Sequence, residues 1–145
     1  MGLDNGFIIK HNNTGASCDI AYFRKYYELD TWIRHNCEET YEGSEQFKIT
    51  TESLDKLKNY IKPVYDVLIK VDEGLISKYD SEGYKSTVKA RLDGNAYTNE
   101  FNPVNSQSEF AGWKLVHLYQ SLCQMLEIIE LNEHHDWLIE FYSSY

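Results

Sequence analysis

The sequence predicts an α+β fold, three main helices packed on a small, mostly antiparallel sheet, in the order β-α-β-α-ββ-α-β. Three observations carry this. Short β-favouring runs stand at both ends, two long segments repeat apolar residues at helical spacing, and Asp93-Gly94-Asn95 is a hairpin signal between them. With 145 residues, 42% apolar and 14% aromatic, the chain fits one domain, residues 1–145, with enough material for a core.

Phe7, Ile8 and Ile9 mark a first strand over Leu3–Lys10, bounded by Asn5-Gly6 and by a polar loop from His11 to Ser17. Tyr22, Tyr26, Leu29 and Ile33 then recur at spacings of four, three and four, which predicts a helix from Asp19 to Asn36 capped by Ser17 or Asp19. Glu38 to Gln46 reads as an acidic loop before a small strand at Phe47-Lys48-Ile49. Thr50 or Thr51 caps a second helix whose register, Leu54, Leu57, Ile61, Val64 and Leu68, passes through Pro63 without slipping. One kinked helix ending near Gly74 follows.

Tyr84, Val88, Ala90 and Leu92 alternate with Lys85, Thr87, Lys89 and Arg91, which predicts a strand over Tyr84–Leu92. Its hairpin partner would be Tyr97–Phe101, ended by Asn102-Pro103. Ser106 with Glu109 is a capping box that opens the most apolar helix, Gln107 to Leu131. There Leu115, Leu118, Leu122, Met125 and Ile129 form a seam widened by Val116, Tyr119, Cys123 and Leu126. The excess face goes to the core or, alternatively, to a second copy of the chain, a homo-oligomer through helix 107–131. Trp137, Ile139 and Phe141 alternate as a last strand.

Charge narrows the function. Fourteen Lys plus Arg against 23 Asp plus Glu give −9, the wrong sign for unaided binding of a nucleic-acid backbone. The segment Leu115–Leu131, interrupted by His117, Gln120, Gln124, Glu127 and Glu130, falls short of the roughly 20 apolar residues of a membrane span. Three scattered cysteines, Cys18, Cys37 and Cys123, and the lack of a secretory leader point to a reduced, cytoplasmic setting.

No phosphate-binding Gly-rich loop, Gly-x-Ser-x-Gly or His-Glu-x-x-His is present. Glu133, His134, His135 and Asp136 are dense in donor atoms, but adjacent residues diverge, so the cluster reads as a polar turn and no metal is expected. His35 and Cys37 close the first helix, where the imidazole suits the helix C-terminus and the thiol a buried position, in preference to a base and nucleophile pair. Cys123 reads as core and His117 as surface. No catalytic residue and no cofactor are expected.

Two surfaces are left. One is acidic and aromatic: Glu38, Glu39, Tyr41, Glu42 and Glu45, with a second run of carboxylates at Glu127, Glu130, Glu133, Asp136 and Glu140. Among twelve tyrosines, Tyr22, Tyr26, Tyr27, Tyr41, Tyr142 and Tyr145 are expected to be partly exposed and available for contact. The other surface is basic, with Lys85, Lys89 and Arg91 on one strand face; together with Arg24 they could hold phosphate while a tyrosine stacks on a ring.

The opening Met1-Gly2-Leu3-Asp4, Ala21-Tyr22-Phe23-Arg24-Lys25 and the ending Phe141-Tyr142-Ser143-Ser144-Tyr145 resemble a family of short phage and prophage proteins of unassigned role. The resemblance implies a phage-borne accessory product acting inside a bacterium, of the kind that interferes with host defence. The expected function is therefore a noncatalytic protein that binds and inhibits a host protein, such as a CRISPR effector or other nucleic-acid-handling defence component. The alternative is an oligomeric binder of a small nucleotide signal.

Overall fold

A computed structural model describes residues 2–70, 89–92, 100–104, 111–131 and 136–145. Its elements are β1 (Asp4–His11), β2 (Ser17–Arg24), α1 (Tyr27–Asn36), β3 (Gln46–Ile49), α2 (Thr51–Lys70), α3 (Ala111–Leu131) and β4 (Trp137–Ser144). The four strands form one sheet in the order β2-β1-β4-β3, and every neighbouring pair is antiparallel. The α+β class holds.

Alternation explains the two layers. Phe7, Ile9, Ala21, Phe23, Phe47, Ile49, Ile139 and Phe141 are buried on one face, and Leu29, Trp32, Ile33, Leu54, Leu57, Ile61, Leu115, Leu118, Leu122 and Met125 from the helices close over them. The opposite face carries Lys10, Tyr22, Arg24, Gln46 and Lys48, all exposed. Between α2 and α3 the Tyr65 and Tyr119 rings stack with centroids 3.9 Å apart.

The main correction lies in the first third of the chain. Residues 19–24, expected as the start of a helix, belong to β2 (Ser17–Arg24), and α1 begins only at Tyr27. The reason is visible in the burial: Ala21 and Phe23 point inward, Tyr22 and Arg24 outward, a period of two that hairpin pairing with β1 rewards. The helical spacing that includes Tyr22 is a coincidence of tyrosines belonging to two elements. Tyr26 is also corrected, from exposed to 2% exposed beneath Phe23 and Phe101.

Gly6 is where β1 needs no side chain. A β-carbon there would stand 2.2 Å from the Ala21 carbonyl oxygen and 3.0 Å from the Tyr142 hydroxyl. Tyr142, on the neighbouring strand, lies across the gap and is half-buried.

Helix α2 runs through Pro63 without interruption, as its register requires. Thr50 is its cap: the Ser53 N–H donates to Thr50 Oγ1 at 3.1 Å and the Thr50 N–H to Ser53 Oγ at 2.9 Å. Residues 89–92 are helical and Glu100-Phe101 lie in a turn, so the expected strand pair Tyr84–Leu92 and Tyr97–Phe101 is not formed over these positions. Leu92 and Phe101 are buried in the core instead. Residues 84–88, the Asp93-Gly94-Asn95 signal and the Ser106–Glu109 box lie outside the described residues. The seam of α3, Leu115, Leu118, Leu122 and Met125, is fully buried within the chain. Among the described residues no helix is long and apolar enough to cross a membrane.

Candidate functional site

The two edges of the sheet differ. Outside β3 the chain folds back on itself: the Lys48 N–H donates to the Glu38 carbonyl and the Thr40 N–H to the Gln46 carbonyl, each at 2.8 Å, and Glu39 bridges Phe47. That edge is covered by residues 38–40. β2 forms the other edge, and among the described residues none pairs with its outer side.

A cleft of about 440 Å³ opens where β2 meets α3, lined by Tyr22, Phe23, Arg24, Trp113, Lys114 and His117 among others. Trp113, His117 and Gln120 share one stripe of the helix at spacings of four and three. Trp113 is 45% and Tyr22 53% exposed. The Tyr22 hydroxyl donates to Asp4 Oδ1 at 2.7 Å, which fixes the ring and pushes the phenol above its ordinary pKa. Lys114 Nζ lies 5.9 Å from the Tyr26 ring centroid and 3.5 Å from the Lys25 carbonyl, so the ammonium is held at the cleft rather than swung into solvent. His117 packs 5.1 Å from the Phe23 ring, and burial lowers its pKa, favouring the neutral imidazole. Arg24 is exposed and forms no ion pair with a described residue. In a chain of formal charge −9, Arg24 and Lys114 beside an indole and a phenol form a cationic, aromatic recess.

Among the described members of the sequence-predicted basic set, Arg24 alone lines this cleft. Lys89 and Arg91 are exposed on a helical turn, where residues two apart diverge, so the expected row on one strand face is not formed; Lys85 lies outside the described residues. Trp113, Lys114 and His117 line the cleft although no sequence motif marks them as ligand-binding. Their signal was a polar and aromatic stripe on an otherwise apolar helix.

The acidic loop is partly turned to internal work. Glu39 Oε2 accepts from the Gly43 N–H at 3.1 Å, and Glu45 forms an ion pair with Arg34. Glu38 and Glu42 are exposed, and Tyr41 is 70% exposed. Glu45 adopts a left-handed backbone, φ 58°, held there by Arg34 and by the Ser143 N–H donating to its carbonyl at 3.0 Å.

Arg34 belongs to a polar cluster built on the buried Asp30 and Ser143. Asp30, 3% exposed, accepts from Arg34 Nε at 3.0 Å, from the Ser143 hydroxyl at 2.6 Å and from the Tyr145 hydroxyl at 2.8 Å. The guanidinium lies 5.3 Å from the Phe47 ring centroid. Every group is used by a neighbour, so the cluster reads as a clamp joining α1, the acidic loop and β4. Beside it the buried Asn5 donates from Nδ2 to the Tyr26 carbonyl at 3.1 Å, while its Oδ1 has no partner among the described residues.

His35 Nδ1 lies 2.8 Å from the Thr31 carbonyl in its own helix. Burial pushes the Cys37 thiol up, the opposite of what a nucleophile requires. Cys123 is half-buried on α3. Glu127 and Glu130 are exposed, whereas Glu140, expected on an acidic surface, is 8% exposed within β4. Glu133, His134 and His135 lie outside the described residues, and among those described no group of three potential ligands could hold a metal. Comparisons with family models, curated proteins and solved structures give no match to this chain.

Proposed function

We propose that this chain is a noncatalytic binding protein whose working surface is the β2–α3 cleft, and that what it holds is anionic. The observation that carries this is the meeting of Arg24 and Lys114 with Tyr22 and Trp113 in one recess of a strongly acidic chain. Two cations fix negative charge, and the two aromatic side chains supply contact area at low entropic cost. The test is a fluorescence and amide-shift titration of the full chain with nucleoside phosphates and acidic peptides, using Trp113→Phe to separate this indole from Trp32 and Trp137. The expected result is saturable quenching that Arg24→Ala with Lys114→Ala weakens at least tenfold. Silence toward every anionic probe removes the reading.

A second reading keeps the acidic loop as the contact surface for a host nucleic-acid-handling protein, which it would mask from its polyanion. Tyr41, the most exposed loop aromatic, set among the exposed Glu38 and Glu42, favours it. There, Tyr41→Ala with Glu42→Lys should release a captured nuclease, while Arg24→Ala should not.

A further inference from the structure

We propose that the cleft's ligand is a short, extended, acidic peptide segment of another protein, added to β2 as a fifth strand. This rests on the reading of the cleft as the working surface and names its partner class. The Lys25 N–H donates to the Leu3 carbonyl at 2.6 Å, and the β1–β2 register keeps step from Asp4↔Arg24 to Phe7↔Ala21. In an antiparallel ladder bonded and non-bonded pairs alternate. Leu3–Lys25, Asn5–Phe23 and Phe7–Ala21 are therefore the bonded pairs, and the N–H and C=O groups of Tyr22 and Arg24 point away from β1, toward the outer edge.

Two outward amides with two outward carbonyls, spaced as on a strand, are a peptide's complement. A phosphate or nucleotide can meet the donors, but the carbonyls need N–H groups at the same spacing, which a second backbone supplies. The register breaks at the bulge between Phe7 and Ile8, so the regular stretch is Ala21–Arg24 and the added segment is short. Arg24 and Lys114 select acidic side chains on that segment, while Tyr22 and Trp113 offer apolar contact to the alternate ones. The chain covers its β3 edge with residues 38–40, and among the described residues it leaves this one unpaired.

The test is selection of random octapeptides on the full chain, followed by amide hydrogen exchange of the complex. Enriched peptides should be rich in Asp and Glu. They should slow exchange at the Tyr22 and Arg24 amides at least tenfold while leaving Ala21 and Phe23, already bonded, unchanged. Backbone N-methylation of alternate peptide residues should abolish binding, and Arg24→Glu should weaken it at least tenfold. Peptides that bind without protecting Tyr22 and Arg24, or that show no acidic enrichment, overturn the proposal, as does failure to enrich any. If nucleoside phosphates titrate the cleft while peptides do not, the cleft remains the working surface and the strand-addition inference fails.

Discussion

The β3 edge and the β2 edge belong to the same sheet and are treated in opposite ways. At β3 the chain spends a loop, a left-handed Glu45 and the Asp30–Arg34–Ser143–Tyr145 clamp to close the edge. At β2 it spends an arginine, a lysine and two exposed aromatic side chains and leaves the edge unpaired among the described residues. An open edge is a hazard for a free protein, and one rimmed with cations repels a second copy of itself. On the function proposed above, one side of the sheet serves stability and the other recognition.

Breaking the closed edge should have the largest effect. Asp30→Ala removes the acceptor shared by Arg34 Nε and the Ser143 and Tyr145 hydroxyls while Arg34 keeps Glu45 and Ser143, with an expected loss of about 3 kcal/mol, read as a lower urea midpoint at unchanged slope. Next is Gly6→Ala, whose added methyl meets the Ala21 carbonyl at 2.2 Å; about 2 kcal/mol should be lost, with β2 displaced from β1. By contrast, Arg24→Ala at the β2 edge should change stability by less than about 0.5 kcal/mol while weakening binding. A loss comparable to that of Asp30→Ala would erase the distinction between the edges.

The smallest effect concerns pH. Burial lowers the folded pKa of His117 below 6.5, so the unfolded chain takes up its proton first. The His117 contribution to stability is complete above that value and falls as pH descends from it through the lowered folded pKa. His117→Gln should flatten that part of a urea-midpoint profile, and an unchanged slope would show that another group carries it.

Much of the architecture was legible. Phe7-Ile8-Ile9, the register through Pro63, the Leu115–Met125 seam and the alternation at Trp137–Phe141 each state a local rule that the fold obeys. The helical expectation fails over residues 19–24 because Tyr22 and Tyr26 stand four apart, and only pairing with β1 decides that Tyr22 is an outward strand residue. The basic row failed for a related reason: alternation over Lys85–Arg91 is also compatible with a helical turn, the conformation of residues 89–92. Arg24 was legible as a cation but its companions were not. Trp113 and Lys114 reach it from 89 and 90 residues away in sequence, and no local pattern encodes that approach.

The order β2-β1-β4-β3 also sets a timetable for synthesis. A ribosome delivers the β1–β2 hairpin early, but β3 has no strand to lie against until Trp137–Ser144 emerges and slides between it and β1. Until then Phe47 and Ile49 lack their partners Phe141 and Ile139, and the nascent chain holds an unfinished sheet that a chaperone can recognise.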